Sequence, residues 1–383
     1  MSYMRYIALL VLPVALLSCE SRHTIEVTNT LDFNRDGELA TVALSEIRKA
    51  VGEGTFVITD GKEAEIPYQI TYDSLVVFPA KVAAGAKVVY NLAPGVPSPV
   101  DTVACGAFYQ RRKDDLAWEN EKAAYRAYGP ALQAAGERAF GYDVWTKSVS
   151  HPVVAKRYRD AFAKIANFHE DHGEGMDVYT VGPTLGAGTA ALLDTAGMIN
   201  FPWCFEGYEI LDNGPLRFTV RLTYPAGVFG NDSTVRETRL ITLDSGEFLN
   251  RTEVRYEGLS APATVAPGIV LHRHNPDGYI LDNENSFMAC ADLTDNPDGQ
   301  NGVIYVGVVA PQADTIVLSP MPQPEGDAVA HLLAKGAYSP GTPYVYYWGS
   351  GWSKGFMPDW QSWTDYLTAF RRCAEHPLEV VVK

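Results

Sequence analysis

The chain of 383 residues lacks an excess of basic side chains. It contains 31 Lys and Arg against 46 Asp and Glu, which gives a formal net charge of −15 at pH 7. A protein that binds a nucleic-acid phosphate backbone needs clustered cations, so this balance excludes nucleic acid as a partner. An acidic chain can still bind an acidic sugar in a local basic pocket.

Cysteine is scarce, and long apolar runs are missing after the first 20 residues. No later segment approaches the ~20 apolar residues that a membrane-spanning helix needs, so none is expected to span a membrane. Four widely spaced cysteines follow Cys19, which excludes a compact cysteine zinc site. Two disulfides in three connectivities, or four buried thiols, both fit these residues: Cys105, Cys204, Cys290 and Cys373.

The first 19 residues have the pattern of a bacterial lipoprotein signal peptide. Arg5 precedes an apolar run over residues 7–17 that is too short to span a membrane. The run ends in Leu-Leu-Ser-Cys at residues 16–19, which resembles the lipobox at which Cys19 becomes lipidated. A plain cleavage site or an uncleaved anchor is the alternative. We expect a mature protein that begins at Cys19 and is attached to a membrane by lipid.

Short alternating runs predict a mainly β fold. Residues 24–93 contain several such runs separated by turn signals, which predicts an antiparallel β unit. A proline-rich stretch at residues 94–99 then marks a linker. The predicted divisions are a signal peptide at 1–19, an N-terminal β unit at 20–105 and a large antiparallel β-sandwich at 106–383.

Polar and apolar residues alternate again over residues 205–310. This pattern predicts a wide antiparallel sheet with one face exposed to solvent, as in sandwiches that bind polysaccharide. Six arginines are assigned to the polar phase of these strands: Arg217, Arg221, Arg236, Arg239, Arg251 and Arg255. Helical spacing of apolar residues predicts two helices, at 152–168 and 360–370.

The stretch at residues 169–177, His-Glu-Asp-His-Gly-Glu-Gly-Met-Asp, is the main candidate site. Its two glycines oppose a regular helix, so we expect a loop or a bent strand. Proton transfer is the preferred role, with these catalytic candidates: His169, Asp171, His172 and Glu174. Asp177, with His169 and Asp171, could instead bind a divalent cation such as calcium or zinc. A solvated charged loop is the structural alternative.

Three further segments carry residues suited to sugar binding. Arginines clamp carboxylates, and aromatic side chains offer flat apolar faces to sugar rings. Each segment has a structural alternative: an ordinary charged connection around Arg111, a pair of exposed histidines at His272 and His274, and aromatic side chains in the core around Trp352. The candidates are Arg111, Arg112, Trp118, Glu119, His272, His274, Trp352 and Lys354, and His272 and His274 are expected to share one face of a strand.

Several segments together resemble an uncharacterised family of secreted proteins, domain of unknown function 4861, encoded among polysaccharide-utilisation genes of Gram-negative bacteria. The resemblance implies a large β-sandwich of the kind found in galactose-mutarotase-like and lyase domains, and a task in glycan breakdown on pectin-like or other uronic-acid chains. The lipid anchor expected at Cys19 would place the protein in the periplasm or at the outer membrane of a Gram-negative bacterium. The resemblance spans most of the mature chain and lies in four segments: residues 118–121, 136–145, 169–177 and 347–352.

Three functions fit these residues. The first is a lyase or hydrolase acting on acidic oligosaccharides. A lyase must neutralise a uronate carboxylate, remove a proton and protonate a leaving oxygen. His169, His172, Tyr179 and Arg112 offer the required groups. The second is a glycan-binding lipoprotein without catalysis, and the third is a mutarotase or epimerase-like sandwich.

Lipidation of Cys19 is directly testable. Metabolic labelling with a palmitate analogue should tag the wild-type protein and a Cys204→Ala control. The Cys19→Ala variant should lose the label, because no other cysteine follows an apolar signal segment. Labelling that persists in Cys19→Ala would contradict the prediction.

Overall fold

The structure, a computed structural model, describes residues 23–293 and 300–383. Cys19 and the signal segment lie outside the described residues. Strands dominate the described chain, which confirms the mainly β prediction. None of the helices in these two ranges is long and apolar enough to cross a membrane.

The N-terminal part forms two small antiparallel sheets around a core of its own. One sheet has the order β26-β1-β7-β3-β4 and the other has the order β2-β6-β5. Strand β26, Glu379–Val382, is the last strand of the chain and pairs with the first. Ile25, Ile47 and Phe78 lie in the core that the two sheets share. The elements are β1 His23–Thr28, β2 Arg35–Ala43, α1 Leu44–Val51, β3 Phe56–Thr59, β4 Glu65–Ile66, β5 Gln69–Ile70, β6 Leu75–Val82 and β7 Lys87–Pro94.

A four-stranded sheet follows, in the order β11-β10-β9-β8. One of its faces packs into the main core through Trp118 and Tyr125, and the other is covered by helix α3. The elements are β8 Cys105–Tyr109, a short 3₁₀ turn at Gln110–Arg112, β9 Asp115–Glu119, β10 Ala124–Ala127, α2 Pro130–Ala134, β11 Asp143–Trp145 and α3 Val154–Phe162.

The remainder forms the antiparallel sandwich. A five-stranded sheet, β13-β12-β19-β24-β23, packs against a nine-stranded sheet, β14-β15-β17-β18-β25-β22-β21-β20 with β16 beside β17. The elements are β12 Ala187–Leu193, β13 Ile199–Asn200, β14 Gly207–Asn213, β15 Arg217–Thr223, β16 Gly227–Phe229, β17 Asp232–Asp244, β18 Leu249–Glu257, β19 Ala263–His272, β20 Tyr279–Asp282, β21 Phe287–Asp292, β22 Ile304–Val309, β23 Thr315–Glu325, β24 Ala328–Tyr338, β25 Tyr344–Trp352, α4 Trp360–Glu375 and β26 Glu379–Val382.

The outer face of the nine-stranded sheet is exposed to solvent, as predicted, but one of the six arginines assigned to that face does not lie on it. Arg217 and Arg251 line a groove on that face, where Arg217 forms a two-bond pair with Asp244 at 2.6 and 2.7 Å. Arg239 instead points inward and is fully buried. It lies two residues from Ile241 on the same strand, and alternate residues share a face, so Arg236 and Arg239 cannot both face solvent.

One predicted helix is shorter than expected, and one helix was not predicted. The helix expected at 152–168 is shorter, because it ends at Phe162 and Lys164 adopts a left-handed φ of 57°. Six residues of loop therefore separate it from His169. Helix α1 was not predicted, although Leu44 and Ile47 already have helical spacing and are buried in the N-terminal core.

The four cysteines after Cys19 are free thiols, so the disulfide alternative is not realised among them. Burial raises the pKa of Cys105 and of Cys204 to about 11. Both groups are therefore neutral thiols near pH 7, and neutral thiols are poor nucleophiles.

A buried ion pair fixes the start of helix α3 against the four-stranded sheet. The Lys147 ammonium donates to the Glu119 carboxylate at 2.7 Å and to the Asn120 carbonyl at 2.6 Å. The same carboxylate accepts from the backbone N–H groups of Val153 and Val154. Glu119 thus accepts from backbone N–H groups that have no partner within the helix. The helix dipole also favours a negative charge at this N-terminus.

Removal of Lys147 tests this anchor. Lys147→Met leaves a buried carboxylate without its cation, which should lower the free energy of unfolding by roughly 3–5 kcal/mol. The matched control is Lys49→Met, which breaks an exposed pair with Glu46 and should cost less than about 1 kcal/mol. Chemical denaturation of both variants gives the comparison, and equal losses would refute the role of the buried pair.

Candidate functional site

The four-stranded sheet places one cation among several carboxylates. Arg126 on β10 is the direct cross-strand neighbour of Asp143 on β11 and of Ala117 on β9. Because alternate residues share a face, Asp115 lies on the same face of β9 as Ala117. The loop that carries the candidate stretch then brings Asp177 to this face, through an isolated bridge between Trp145 and Asp177.

Arg126 contacts all three carboxylates. Its Nη2 lies in ion-pair contact with Asp143 and 3.1 Å from Asp177 Oδ2, while its Nη1 lies 3.4 Å from Asp115 Oδ2. The Tyr158 hydroxyl of helix α3 donates to Asp115 at 2.9 Å. The guanidinium and the three carboxylates are buried. Since the charges of Arg126 and the nearby Arg112 do not balance three carboxylates, the cluster favours retention of a proton.

Asp177 is the carboxyl that holds a proton most strongly. Burial raises its pKa, Arg126 lowers it, and the neighbouring Asp143 and Asp115 raise it again, to a value of about 8. The pKa of Asp115 is also raised, first by burial. A carboxylic acid that stays protonated near pH 7 is a recurrent feature of sites that transfer protons.

His169 connects this acid to solvent. Its Nδ1 donates to the Asp177 backbone carbonyl at 2.7 Å and lies 3.8 Å from the Asp177 carboxyl group. A carbonyl can only accept, so Nδ1 carries the proton and the neutral ring keeps its lone pair on Nε2. The side chain is 54% exposed. His169 can therefore exchange a proton with a bound molecule at one end while it contacts Asp177 at the other.

The candidate stretch is a loop, as predicted, and Asp171 shapes it. Its Oδ1 accepts from the backbone N–H groups of Gly173 and Gly175, at 2.8 and 2.9 Å. Gly175 has a φ of +98°, and a Cβ there would lie 2.2 Å from the Thr146 carbonyl oxygen. The glycine is thus required for close approach to the β11 end, and Asp171 holds the turn.

His172 and Glu174 lie on the outer side of the same loop. His172 Nε2 contacts the Asn167 carbonyl at 3.1 Å, and Glu174 accepts from Lys156 of α3 at 3.0 Å. Both side chains face a shallow pocket beneath α3. They share the loop with His169. Among the described residues, no hydrogen bond or ion pair joins either side chain to the Arg126 cluster, which consists of Arg126, Asp115, Asp143 and Asp177.

Two predicted arginines follow strand β8 in the 3₁₀ turn. Arg112 is half-buried, and its charge lowers the pKa values of Asp115 and Asp177. Arg111 is exposed and lies over the Phe162 ring, 4.6 Å from its centroid. Arg112 therefore belongs electrostatically to the Arg126 cluster, with a side chain that is partly accessible.

Trp118 and Glu119 are not available as sugar contacts. Trp118 is fully buried, and its Nε1 donates to Asn250 at 2.7 Å. Glu119 is committed to Lys147 and to the start of α3. The alternation of strand β9 directs Trp118 into the sandwich core, which corrects the expectation of an exposed aromatic.

The predicted histidine pair is also corrected. Strand β19 ends at His272, which is buried and paired through Nδ1 with Asp292, whereas His274 lies exposed in the following turn. Tyr179 packs edge-on against the His272 ring, and burial raises the pKa of Tyr179 well above its usual value. His272 and His274 therefore do not share an open face, and the nearby charge of Asp143 also contributes to the raised pKa of Tyr179.

The last pair of candidates lies at the end of β25. Trp352 is buried and donates from Nε1 to the Asn301 carbonyl at 2.8 Å, while Lys354 is exposed and donates to the Gln300 carbonyl. Trp352 serves the core and does not offer an open ring face. Lys354 remains accessible.

No described residues form a cluster of three or more His, Cys, Asp or Glu side chains able to hold a metal ion. In the proposed set, Asp171 bonds to backbone amides, and Asp177 contacts Arg126. Within residues 23–293 and 300–383, the cation alternative therefore lacks a converging ligand set.

Three residues at this site were not predicted: Arg126, Tyr158 and Tyr128, whose hydroxyl accepts from Arg126 Nη2 at 3.2 Å. The strand-or-helix ambiguity over residues 122–128 hid Arg126, although a strand there places it opposite Asp143. Asp143 itself lies in one of the segments that carried the family resemblance.

A family model and one relative match most of the chain. A family model with the description "Domain of unknown function (DUF4861)" matches residues 27–380. "Uncharacterized protein P7" of Formosa agariphila is 27% identical over 391 residues, which cover 95% of this chain and 94% of that protein.

Two solved structures from Enterococcus faecalis are also similar, each at 8% identity over 95% of this chain. One, described as a protein in the Glycosyl Hydrolase Family 38, has a TM-score of 0.51 with 48% of its length covered. The other, an alpha-mannosidase from strain V583, has a TM-score of 0.48 with 46% covered. The chain spans about half the length of these structures, and the first likeness shows a shared fold.

The raised pKa of Asp177 predicts a pH dependence of stability. The folded state keeps a proton that the unfolded chain releases near pH 4, so the stabilisation is complete below about pH 4 and is lost as the pH rises through about 8. Between about pH 5 and about pH 8 the wild type should lose more stability than Asp177→Asn. Denaturation at several pH values measures this, and parallel curves would contradict it.

Proposed function

The chain belongs to the DUF4861 family, and we propose that it is a carbohydrate-active enzyme, a lyase or a hydrolase, that acts on uronic-acid-containing oligosaccharides by proton transfer at His169. One observation carries the proposal: an exposed imidazole hydrogen-bonded to the backbone of a buried aspartic acid with a pKa of about 8. The fold shared with a protein in the Glycosyl Hydrolase Family 38 is consistent with work on glycans.

His169 is the group that would contact substrate. In an elimination, Nε2 takes the proton from the carbon beside the uronate carboxylate, the electron pair forms a carbon–carbon double bond, and the bond to the leaving oxygen breaks. The leaving oxygen then needs a proton, which His172 of the same loop can supply. In a hydrolysis, protonated His169 gives its proton to the glycosidic oxygen and water attacks the sugar carbon.

Asp177 is a positioning residue in this scheme. It is 2% exposed, so it acts on substrate only through His169. Its backbone carbonyl fixes the His169 tautomer and leaves the lone pair on Nε2.

The substrate carboxylate would meet the two arginines after β8. Arg111 is exposed and Arg112 is half-buried beside the cluster. An arginine pairs with a carboxylate through two parallel hydrogen bonds and offsets the charge that develops when the neighbouring carbon loses its proton. We extend the proposal to the compartment: a protein lipidated at Cys19 would act in the periplasm or at the outer membrane.

Activity on a panel of pectic and other acidic oligosaccharides tests the proposal. Wild type should convert at least one of them, and absorbance from new double bonds separates a lyase from a hydrolase. His169→Ala should lower kcat by about 10²–10⁴-fold, the usual contribution of a general acid or base. Arg112→Ala should mainly raise KM. His376→Ala, which removes an exposed histidine at the end of α4, should leave both unchanged.

Full activity of His169→Ala on a substrate that the wild type converts would refute the assigned site. Binding of acidic oligosaccharides without any product would instead support the glycan-binding alternative. Exchange between sugar epimers or anomers, without cleavage, would support the mutarotase-like alternative.

A further inference from the structure

A second cleft opens at one end of the sandwich, away from the residues assigned above. It lies between the segment 200–203, the segment 224–229 and the inner faces of β17 and β18. The cavity volume is about 100 Å³, which is below the roughly 300–1,000 Å³ of drug-sized ligand sites, so the cleft can enclose only a small group.

The floor of this cleft is polar and built from buried groups. Glu237 lines it with a side chain that is only 10% exposed, and the fully buried Arg239 donates to that carboxylate from behind. Arg239 is held in turn by the Ala190 carbonyl at 3.3 Å and by the Tyr224 ring, whose centroid lies 4.2 Å from the guanidinium carbon. The floor therefore has a fixed geometry.

One further polar group at the floor lacks a partner. Tyr256 is buried and lines the cleft, and its hydroxyl has no hydrogen-bond partner within the described part of the chain. The hydroxyl oxygen has almost no solvent-accessible surface, so it lies behind the wall of the cleft and is not a contact for a ligand.

The rim of the cleft is aromatic and apolar. Trp203 is 52% exposed, and its ring packs edge-on against Phe140 at a centroid distance of 6.1 Å. Phe201, Val228 and Phe229 complete the rim. A tryptophan whose ring is supported from one side and open on the other offers a flat face for stacking.

Charge then selects the class of ligand. An anion would be repelled by Glu237, which stands between the cleft and Arg239. A cation gains little, because Arg239 already balances the Glu237 charge. A neutral molecule with several hydroxyl groups and one apolar face satisfies both the floor and the rim.

We propose that the Trp203 cleft binds a neutral sugar ring, stacked on Trp203 and hydrogen-bonded to Glu237. The segment that carries Trp203 continues to Phe205, whose N–H donates to the Tyr128 carbonyl at 3.2 Å, and the Tyr128 hydroxyl accepts from Arg126. The cleft is thus joined to the structure around the Arg126 cluster, although it shares none of its residues. It does not depend on catalysis at His169.

Binding of neutral gluco-, galacto-, manno- and xylo-oligosaccharides, followed by calorimetry on the intact protein, tests the proposal. The wild type should bind at least one series at millimolar concentration or below. Trp203→Ala should weaken that binding about tenfold or more through loss of the stacking face. Glu237→Gln should also weaken it, and the exposed aromatic Tyr72, outside the cleft, supplies the control Tyr72→Ala.

Failure of every neutral series to bind the wild type, or equal binding by wild type and Trp203→Ala, would overturn the proposal. Preference of the cleft for an acidic over a neutral sugar would also overturn it. Trp203 is exposed, so its substitution remains informative even if Glu237→Gln prevents folding. A His169→Ala protein that keeps neutral-sugar binding but loses activity would separate this site from the proposed catalytic one.

Discussion

The structure around the candidate site depends on one buried guanidinium shared by three carboxylates. Arg126 is placed opposite Asp143 by the pairing of β10 and β11, while Asp177 reaches it from a loop. Burying several charges is costly unless they are paired, and one arginine cannot pair three ionised carboxylates. The least costly state retains a proton on Asp177, in the loop that also carries His169.

The molecule contains a second buried arginine, and the comparison explains why the two sites should differ. Arg239 faces a single carboxylate, Glu237, so its surroundings are close to neutral. Arg126 faces three, so its surroundings have an excess of negative charge that a proton relieves. The first arrangement suits recognition of a neutral ligand, and the second suits proton transfer. In both cases the alternation of side chains along a strand determines which face of the sheet the arginine occupies.

The sequence predicted the architecture better than the site. Alternating runs identified the β-sandwich and its wet face, because that pattern is local. The stretch at 169–177 was recognisable from its composition, and His169 with Asp177 does reach a buried ionic cluster. Arg126 could not be recognised in the same way, since its role arises from cross-strand pairing over residues of ambiguous propensity. Trp118 was misplaced for the converse reason: its indole is paired with Asn250, far away in sequence.

The state of the Asp177 carboxyl is the central claim, and one measurement tests it directly. Carbon-13 NMR of the side-chain carboxyl groups, assigned by comparison with Asp177→Asn, gives the pKa of this residue in the folded protein. We expect the Asp177 carboxyl to titrate with a midpoint near pH 8. A midpoint near the ordinary value of about 4 would contradict it, because Asp177 would then be ionised and His169 would have no buried acid behind it.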